Sequence, residues 1–255
     1  MFLRTGVRQK TEKQRLDTAL VERGLAESRA LAQSLIYAGQ VLVAGQTVSK
    51  PSYATDRQAV IAVAGQKRFV SRGGDKLDHA LETFAIPVEG LTCLDAGAST
   101  GGFTDCLLQR GAKKVYALDV GTAQLHWKLR NDPRVVVMEN VNARHIASGM
   151  FPEQPALAAI DVSFISLTKV LPAVINVLAH GARVVALVKP QFEAERCENK
   201  HGVVRDPKVR TRVVEAIRRF GTDEAGLEFK GECESPLKGP AGNVEFFLYW
   251  IKTQT

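Results

Sequence analysis

The sequence predicts an α/β protein whose larger part is a mostly parallel, doubly wound sheet, and three observations support this prediction. Short apolar runs alternate with helical patterns between residues 91 and 251, which is typical of parallel strands joined by crossover helices. A glycine-rich turn over residues 97–102 follows the first run, and two runs end in Asp95 and Asp119. Open α/β sheets bind ligands at the carboxyl ends of their strands, so we expect a cofactor site there.

The remaining elements follow from hydrophobic periodicity. In the larger part, strands are predicted at residues 91–95, 114–119, 135–141, 156–164, 183–189 and 243–251, and helices at 77–84, 103–110, 167–178 and 207–220. Residues 191–206 are polar and aperiodic, which predicts an active-site loop. Nearer the N-terminus, helices are predicted from Arg15 and over 28–38, and strands at 41–44 and 59–63.

The turn favours S-adenosylmethionine over a dinucleotide. A dinucleotide site requires Gly-x-Gly-x-x-Gly, and its middle position is Ser99 here, which would crowd a pyrophosphate. S-adenosylmethionine has no phosphate, and Asp119 can accept two hydrogen bonds from its ribose diol. The predicted cofactor-binding residues are Asp95, Gly97, Ser99, Thr100, Gly101, Gly102, Phe103, Asp119, Asn142 and Asp161. A glycine-rich turn beside a solvated aspartate in an ordinary α/β protein is the alternative.

The charge is concentrated in the first third of the chain. Residues 1–75 hold 12 Lys and Arg against 6 Asp and Glu, whereas the whole 255-residue chain has a net charge of +7. A basic module beside a nearly neutral one indicates a polyanion-binding domain that serves an enzyme.

The other compositional features exclude several classes of protein. The cysteines, Cys93, Cys106, Cys197 and Cys233, show no metal-ligand spacing, so we expect no metal and a reducing cytoplasm. The N-terminus has no apolar core of a secretory signal. The most apolar region, residues 170–188, contains Asn176, His180 and Arg183, so no membrane span is expected.

The N-terminal pattern RLDxxLVERGLAESRxxAxxLIxxGxVxVxG, from Arg15 to about Val63, resembles the αL RNA-binding domain. That domain is shared by a small-subunit ribosomal protein, some pseudouridine synthases and tyrosyl-tRNA synthetases. The resemblance implies a small α+β domain over residues 11–66, followed by a linker at 67–70 and a catalytic domain at 71–255. The predicted RNA-binding residues are Arg15, Arg23, Arg29, Lys50, Arg68 and Arg72.

Two lysines and two carboxylates are predicted at the same edge of the sheet, where they could activate a weakly acidic hydroxyl such as a ribose 2′-OH. Lys76, Asp161, Lys189 and Glu245 resemble the Lys-Asp-Lys-Glu tetrad of FtsJ-like ribose 2′-O-methyltransferases. The phrases SRGGDKL, LDAGASTGGFTDCLLQRGA, DVSFISL, LVKPQFEA and GVVRDP extend the resemblance to the TlyA, or hemolysin A, family of rRNA cytidine 2′-O-methyltransferases.

This resemblance implies a Rossmann-like methyltransferase that uses S-adenosylmethionine, with these four residues as the catalytic group. It implies a cytoplasmic enzyme whose partner is the ribosomal RNA of assembled subunits, and it leaves monomer or homodimer open. One departure is His201, where the family pattern leads us to expect glycine. The alternatives are a non-catalytic RNA-binding or ribosome-assembly factor and, in accordance with the family's second name, a pore-forming hemolysin.

Overall fold

The computed structural model describes residues 13–65, 68–199 and 201–253. The chain divides into two compact units, one ending at Lys67 and the other beginning at Arg68. Each unit has its own hydrophobic core.

Within residues 13–65, the smaller unit contains two helices and five short strands. Its elements are β1 (Lys13–Arg15), α1 (Leu16–Glu22), α2 (Arg29–Tyr37), β2 (Val41–Val43), β3 (Gln46–Thr47), β4 (Ala54–Asp56) and β5 (Ile61–Val63). Strand β2 pairs with β3 and β5, and β1 pairs with β4, all antiparallel. Leu16, Leu20 and Ile36 are fully buried between the helices and the sheet. The two predicted helices are therefore confirmed, whereas β1 and β4 were not predicted.

The larger unit is a seven-stranded sheet with helices on both faces. Its strands are β6 (Thr92–Ala96), β7 (Lys114–Leu118), β8 (Val135–Met138), β9 (Leu157–Ile160), β10 (Arg183–Val188), β11 (Leu227–Glu234) and β12 (Phe246–Lys252). Its helices are α3 (Arg72–Thr83), α4 (Gly102–Gln109), α5 (Trp127–Arg130), α6 (Leu171–Val177), α7 (Pro190–Glu193) and α8 (Pro207–Arg219).

The strand order is β11-β12-β10-β9-β6-β7-β8. Strands β6 to β10 are parallel, and β11 and β12 are antiparallel additions at one edge. This confirms the predicted Rossmann-like, mostly parallel sheet. The order reverses at β6, whose neighbours are β7 and β9, and such a switch point is where α/β sheets bind ligands.

Alternate residues of the central strands point to opposite faces of the sheet, so the unit has two cores. On one face, Leu94 and Ala96 of β6 pack with α6 and α8. On the other face, Cys93 packs with α3, α4 and α5. The thiols of Cys93 and Cys106 are fully buried, and burial raises the pKa of each to about 12. Both cysteines are core residues.

Three details differ from the sequence predictions. Strand β11 was not predicted, because its alternating Leu227–Glu234 sequence is polar on its exposed face. The predicted loop at 191–206 begins inside α7. Of the predicted linker, residues 68–70 belong to the larger unit: Phe69 is buried, and the Val70 amide donates to Asp105 Oδ2 at 2.9 Å. Lys67 lies outside the described residues.

Candidate active site

Three ionisable residues lie one position beyond the ends of three parallel strands of the same sheet. Asp119 follows β7, Asp161 follows β9 and Lys189 follows β10. Backbone pairing of β6 with both β7 and β9 aligns these strand ends, so the three side chains share the carboxyl edge of the sheet. The sequence prediction placed all three residues at this edge.

The glycine-rich turn leaves β6 toward the same edge. Gly97 has a φ of 95°, and a Cβ atom there would lie 2.5 Å from the backbone oxygen of Asp161. Only glycine allows both this conformation and this close approach. Two backbone amides hold the Asp119 carboxylate. The Ser99 amide of the turn donates to Oδ2 at 2.8 Å, and the Gly121 amide, from the segment after β7, donates to Oδ1 at 2.7 Å.

Asp95 lies beneath the turn and is fully buried. Its Oδ2 accepts a hydrogen bond from Thr104 Oγ1 at 2.6 Å, whereas Oδ1 has no hydrogen-bond partner within the described structure. Burial, with smaller contributions from Asp161 and Asp119, raises the pKa of Asp95 to about 7. Asp95 therefore supports the turn from below and does not line the cleft above it.

A cleft of about 630 Å³ opens above the turn. Its walls include predicted cofactor residues, which are Gly97, Ser99, Thr100, Gly102 and Phe103. They also include all four predicted catalytic residues, Lys76, Asp161, Lys189 and Glu245. Gly101 does not line the cleft; it precedes α4 with a φ of 97° and lies against Leu125 and Leu129.

The four catalytic candidates form two ion pairs. Lys76 Nζ donates to Glu245 Oε2 at 2.5 Å, and both side chains are almost completely buried. Lys189 Nζ lies 2.7 Å from Asp161 Oδ1 and donates to Ser163 Oγ at 2.8 Å. Glu245 was predicted on the last strand; it lies one residue before β12, because pairing with β10 begins at Phe246.

A second cavity of about 330 Å³ shares part of the cleft wall. It contains Asp119 and Asn142, and Asn142 Oδ1 accepts a hydrogen bond from the Arg144 amide at 3.0 Å. The residues common to both cavities are Gly97, Ser99, Asp161, Ser163 and Phe164. The cofactor candidates thus occupy two adjoining spaces, and the catalytic pairs lie in the larger one.

The sequence prediction missed two aromatic residues at the cleft. Phe164 is 91% exposed and has a φ of 62°, which is unusual for a bulky residue. Its ring lies 5.0 Å from the ring of Phe192, and Lys189 Nζ lies 5.9 Å from the Phe192 ring. The only sequence signal was their position within DVSFISL and KPQFEA, the phrases that contain Asp161 and Lys189.

The predicted RNA-binding side chains have different environments. In the smaller unit, Arg15 and Arg29 both pair with the buried carboxylate of Asp17, which holds the pKa of Asp17 well below its usual range. The Arg23 guanidinium instead donates to the carbonyls of Ala59 and Arg57, so it joins α1 to the 57–59 segment. Lys50 is exposed.

The two basic candidates of the larger unit also differ. Arg72 is exposed and lines the cleft. Arg68 pairs with Asp78, which also binds Arg110, and Arg68 is not among the residues that line the cleft.

His201, where glycine was expected, has a φ of 54°, and the next residue, Gly202, has a φ of 79°. The left-handed backbone at residue 201 explains why glycine is favoured there.

The parallel sheet, the glycine-rich turn at its switch point and the paired lysines and carboxylates define the class: an α/β enzyme that binds a nucleoside-containing cofactor. Among residues 13–65, 68–199 and 201–253, no helix is long and apolar enough to cross a membrane. The same ranges contain no cluster of three or more metal-ligand side chains.

Comparison with known proteins identifies the family. Residues 69–252 match the FtsJ-like methyltransferase model, and residues 14–61 match the S4 domain model. The chain belongs to the FtsJ-like methyltransferases and, among them, to the TlyA, or hemolysin A, family. The resemblance deduced from the sequence is therefore confirmed.

Three similar proteins cover almost the whole chain. The 16S/23S rRNA (cytidine-2′-O)-methyltransferase TlyA of Mycobacterium tuberculosis is 51% identical over 94% of this chain and 90% of its own length. Hemolysin A of Brachyspira hyodysenteriae is 45% identical over 93% of this chain and 99% of its own. A solved structure from Streptococcus thermophilus, described as a candidate hemolysin, is 45% identical with a TM-score of 0.73, covering 96% of this chain and 90% of that one.

Proposed function

We propose that this protein transfers a methyl group from S-adenosylmethionine to the ribose 2′-oxygen of cytidine in ribosomal RNA. One observation carries the proposal. The Lys189–Asp161 and Lys76–Glu245 pairs lie in one cleft, and that cleft shares a wall with the cavity that contains Asp119. A methyl donor in the smaller cavity and a ribose in the cleft would meet at this shared wall.

The residues present fit S-adenosylmethionine. Two carboxylates, Asp119 and Asp161, line the smaller cavity beside the turn, and their negative charges favour a cationic sulfonium. Asp119 is held by two backbone amides, and its remaining lone pairs suit a ribose diol. Asn142 offers a polar side chain to an adenine edge in the same cavity. When bound, the cofactor supplies an electrophilic methyl group.

Lys189 and Asp161 act on the ribose hydroxyl. The Lys189 side chain is only 11% exposed, and its Nζ faces the cleft beside Asp161 Oδ1. It positions the 2′-hydroxyl, and Asp161 provides the acceptor toward which the hydroxyl proton moves as the oxygen is methylated. Lys76 and Glu245 form the second ion pair of the cleft. Because their charges cancel, this pair adds no net charge to the cleft.

Other features support an RNA substrate. The smaller unit matches the S4 domain, and its Arg15 and Arg29 guanidinium groups can bind phosphates. Arg72 adds a positive charge at the cleft, where a phosphate of the target strand would pass. The exposed Phe164 ring offers a stacking surface for an unpaired base. The M. tuberculosis relative is named for 16S and 23S rRNA, so both subunits are candidate substrates.

The test is methyl transfer from labelled S-adenosylmethionine to unmethylated 30S and 50S subunits, with Lys189→Met as the matched inactive variant. We expect the wild type to label at least one subunit, and the variant to bind the cofactor and transfer no methyl group. Cofactor binding without transfer to either subunit would contradict the proposed substrate and indicate another RNA target or a required partner. Absence of both transfer and cofactor binding would favour the RNA-binding-factor alternative.

A further inference from the structure

We propose that Ser163 is a positioning residue for Lys189, so that the catalytic group of this methyltransferase has a fifth member. The inference rests on the proposed function and deepens it. Lys189 Nζ donates to Ser163 Oγ at 2.8 Å and lies 2.7 Å from Asp161 Oδ1. The lysine nitrogen is therefore held between two oxygens that belong to the same loop.

The serine contact sets the orientation of the ammonium group. An ammonium group has three donors, and the one directed at Ser163 Oγ makes a hydrogen bond. The Asp161 contact is an ion pair, and Asp161 Oδ1 accepts no hydrogen bond within the described structure. The Phe192 ring centroid lies 5.9 Å from Nζ. Because Lys189 lines the cleft, we assign a second N–H group to the substrate. Without Ser163, the flexible lysine stem would allow Nζ to rotate around Asp161 alone.

The location of Ser163 suits this role. Ser163 lines both the cleft and the cavity of Asp119, and by the proposed function a methyl group must cross the boundary between them. The loop that carries it is fixed at its far end by Glu193 of α7. Glu193 accepts hydrogen bonds from Ser166 Oγ at 2.6 Å and from the Leu167 amide at 2.8 Å. Because α7 begins directly after Lys189, this contact holds the serine and lysine segments together.

The variants are Ser163→Ala, Ser163→Thr as the conservative rescue, and Ser166→Ala as a matched control in the same loop. Ser166 bonds to Glu193 and does not line either cavity. We expect Ser163→Ala to lower kcat by about 10- to 100-fold, since misplacement of a catalytic group costs this much. KM for RNA and the cofactor dissociation constant should be unchanged. Ser163→Thr should recover most of the rate. Ser166→Ala weakens the loop anchor but keeps the bond from the Leu167 amide to Glu193, so it should lower kcat less than Ser163→Ala does.

A spectroscopic measurement tests the contact without any methyl transfer. In full-length protein with ¹⁵N-labelled lysine, the Lys189 ammonium signal is assigned from its loss in Lys189→Arg. We expect Ser163→Ala to shift or broaden this signal, and Ser163→Thr to restore it.

Two results would overturn the proposal: an unchanged Lys189 signal in Ser163→Ala, or a wild-type kcat despite a changed signal. Equal effects of Ser166→Ala and Ser163→Ala would also overturn it, because they would indicate loss of loop structure. If the wild type methylates neither subunit, the proposed function fails, and the ammonium signal still decides whether Ser163 holds Lys189.

Discussion

Lys76 and Glu245 are separated by 169 positions in the sequence, and their side chains meet at 2.5 Å inside the cleft. Both are almost completely buried, so neither charge is well solvated without the other. Removal of one partner of a buried pair leaves an uncompensated charge, which costs about 3–5 kcal/mol.

We therefore expect Lys76→Met to lower the free energy of unfolding by a few kcal/mol. The double variant Lys76→Met/Glu245→Gln should recover much of this loss, because it removes both charges, and should still transfer no methyl group. Urea denaturation of the wild type, Lys76→Met, Glu245→Gln and the double variant measures the coupling free energy between the two side chains. Additive effects of the two substitutions would show that the pair contributes nothing to stability.

Burial of Asp95 makes stability depend on pH. Its folded-state pKa of about 7 lies above the ordinary value of 3.8, so the folded protein retains a proton that the unfolded chain loses. The free energy of unfolding should then fall between pH 4 and pH 7, by up to about 1.4 kcal/mol per pH unit from this group. Asp95→Asn should remove this contribution. Parallel slopes for wild type and variant across this range would contradict the assignment.

Asp119 should determine cofactor affinity. Because its carboxylate holds the 97–102 turn through Ser99 and faces the smaller cavity, Asp119→Ala should weaken binding of S-adenosylhomocysteine by at least about tenfold. The matched control is Asp132→Ala, which removes a carboxylate paired with Arg134 and outside both cavities. Isothermal titration calorimetry measures both variants. Equal affinities for Asp119→Ala and Asp132→Ala would exclude Asp119 from the site.

Two arginines of the smaller unit should behave differently. Arg29→Gln should weaken RNA binding. It should also make the plot of the logarithm of the association constant against the logarithm of salt concentration shallower by about 1, as loss of one phosphate contact does. Arg23→Gln should mainly lower stability, because it removes three hydrogen bonds to backbone carbonyls. RNA binding at several salt concentrations, together with thermal unfolding, separates the two effects. A changed salt slope in Arg23→Gln with unaltered stability would reverse the assignment.

Much of the site could be predicted because parallel strands bring their ends together. Asp119, Asp161 and Lys189 were each recognisable at the end of an apolar run, and sheet geometry then aligned them. Lys76 and Glu245 came from the family resemblance, since nothing in their spacing indicates a contact across 169 positions.

The missed features depend on tertiary contacts. Ser163 acts through a lysine that is 26 positions away, and Phe164 stands out only because its ring is exposed. Strand β11 pairs at an edge and therefore lacks the apolar run of a central strand. Arg23 was predicted to bind RNA because it is basic, but its carbonyl partners become visible only when the 57–59 segment folds back on α1.

The most direct test of the central claim is to locate the transferred methyl group. Subunits methylated by the wild type are digested to nucleosides and analysed by mass spectrometry, and the intact rRNA is examined for a site that resists alkaline cleavage. We predict 2′-O-methylcytidine and one or more resistant positions, both absent with Lys189→Met. A methyl group found on a base, with no resistant position, would contradict the assignment of the tetrad to a ribose hydroxyl.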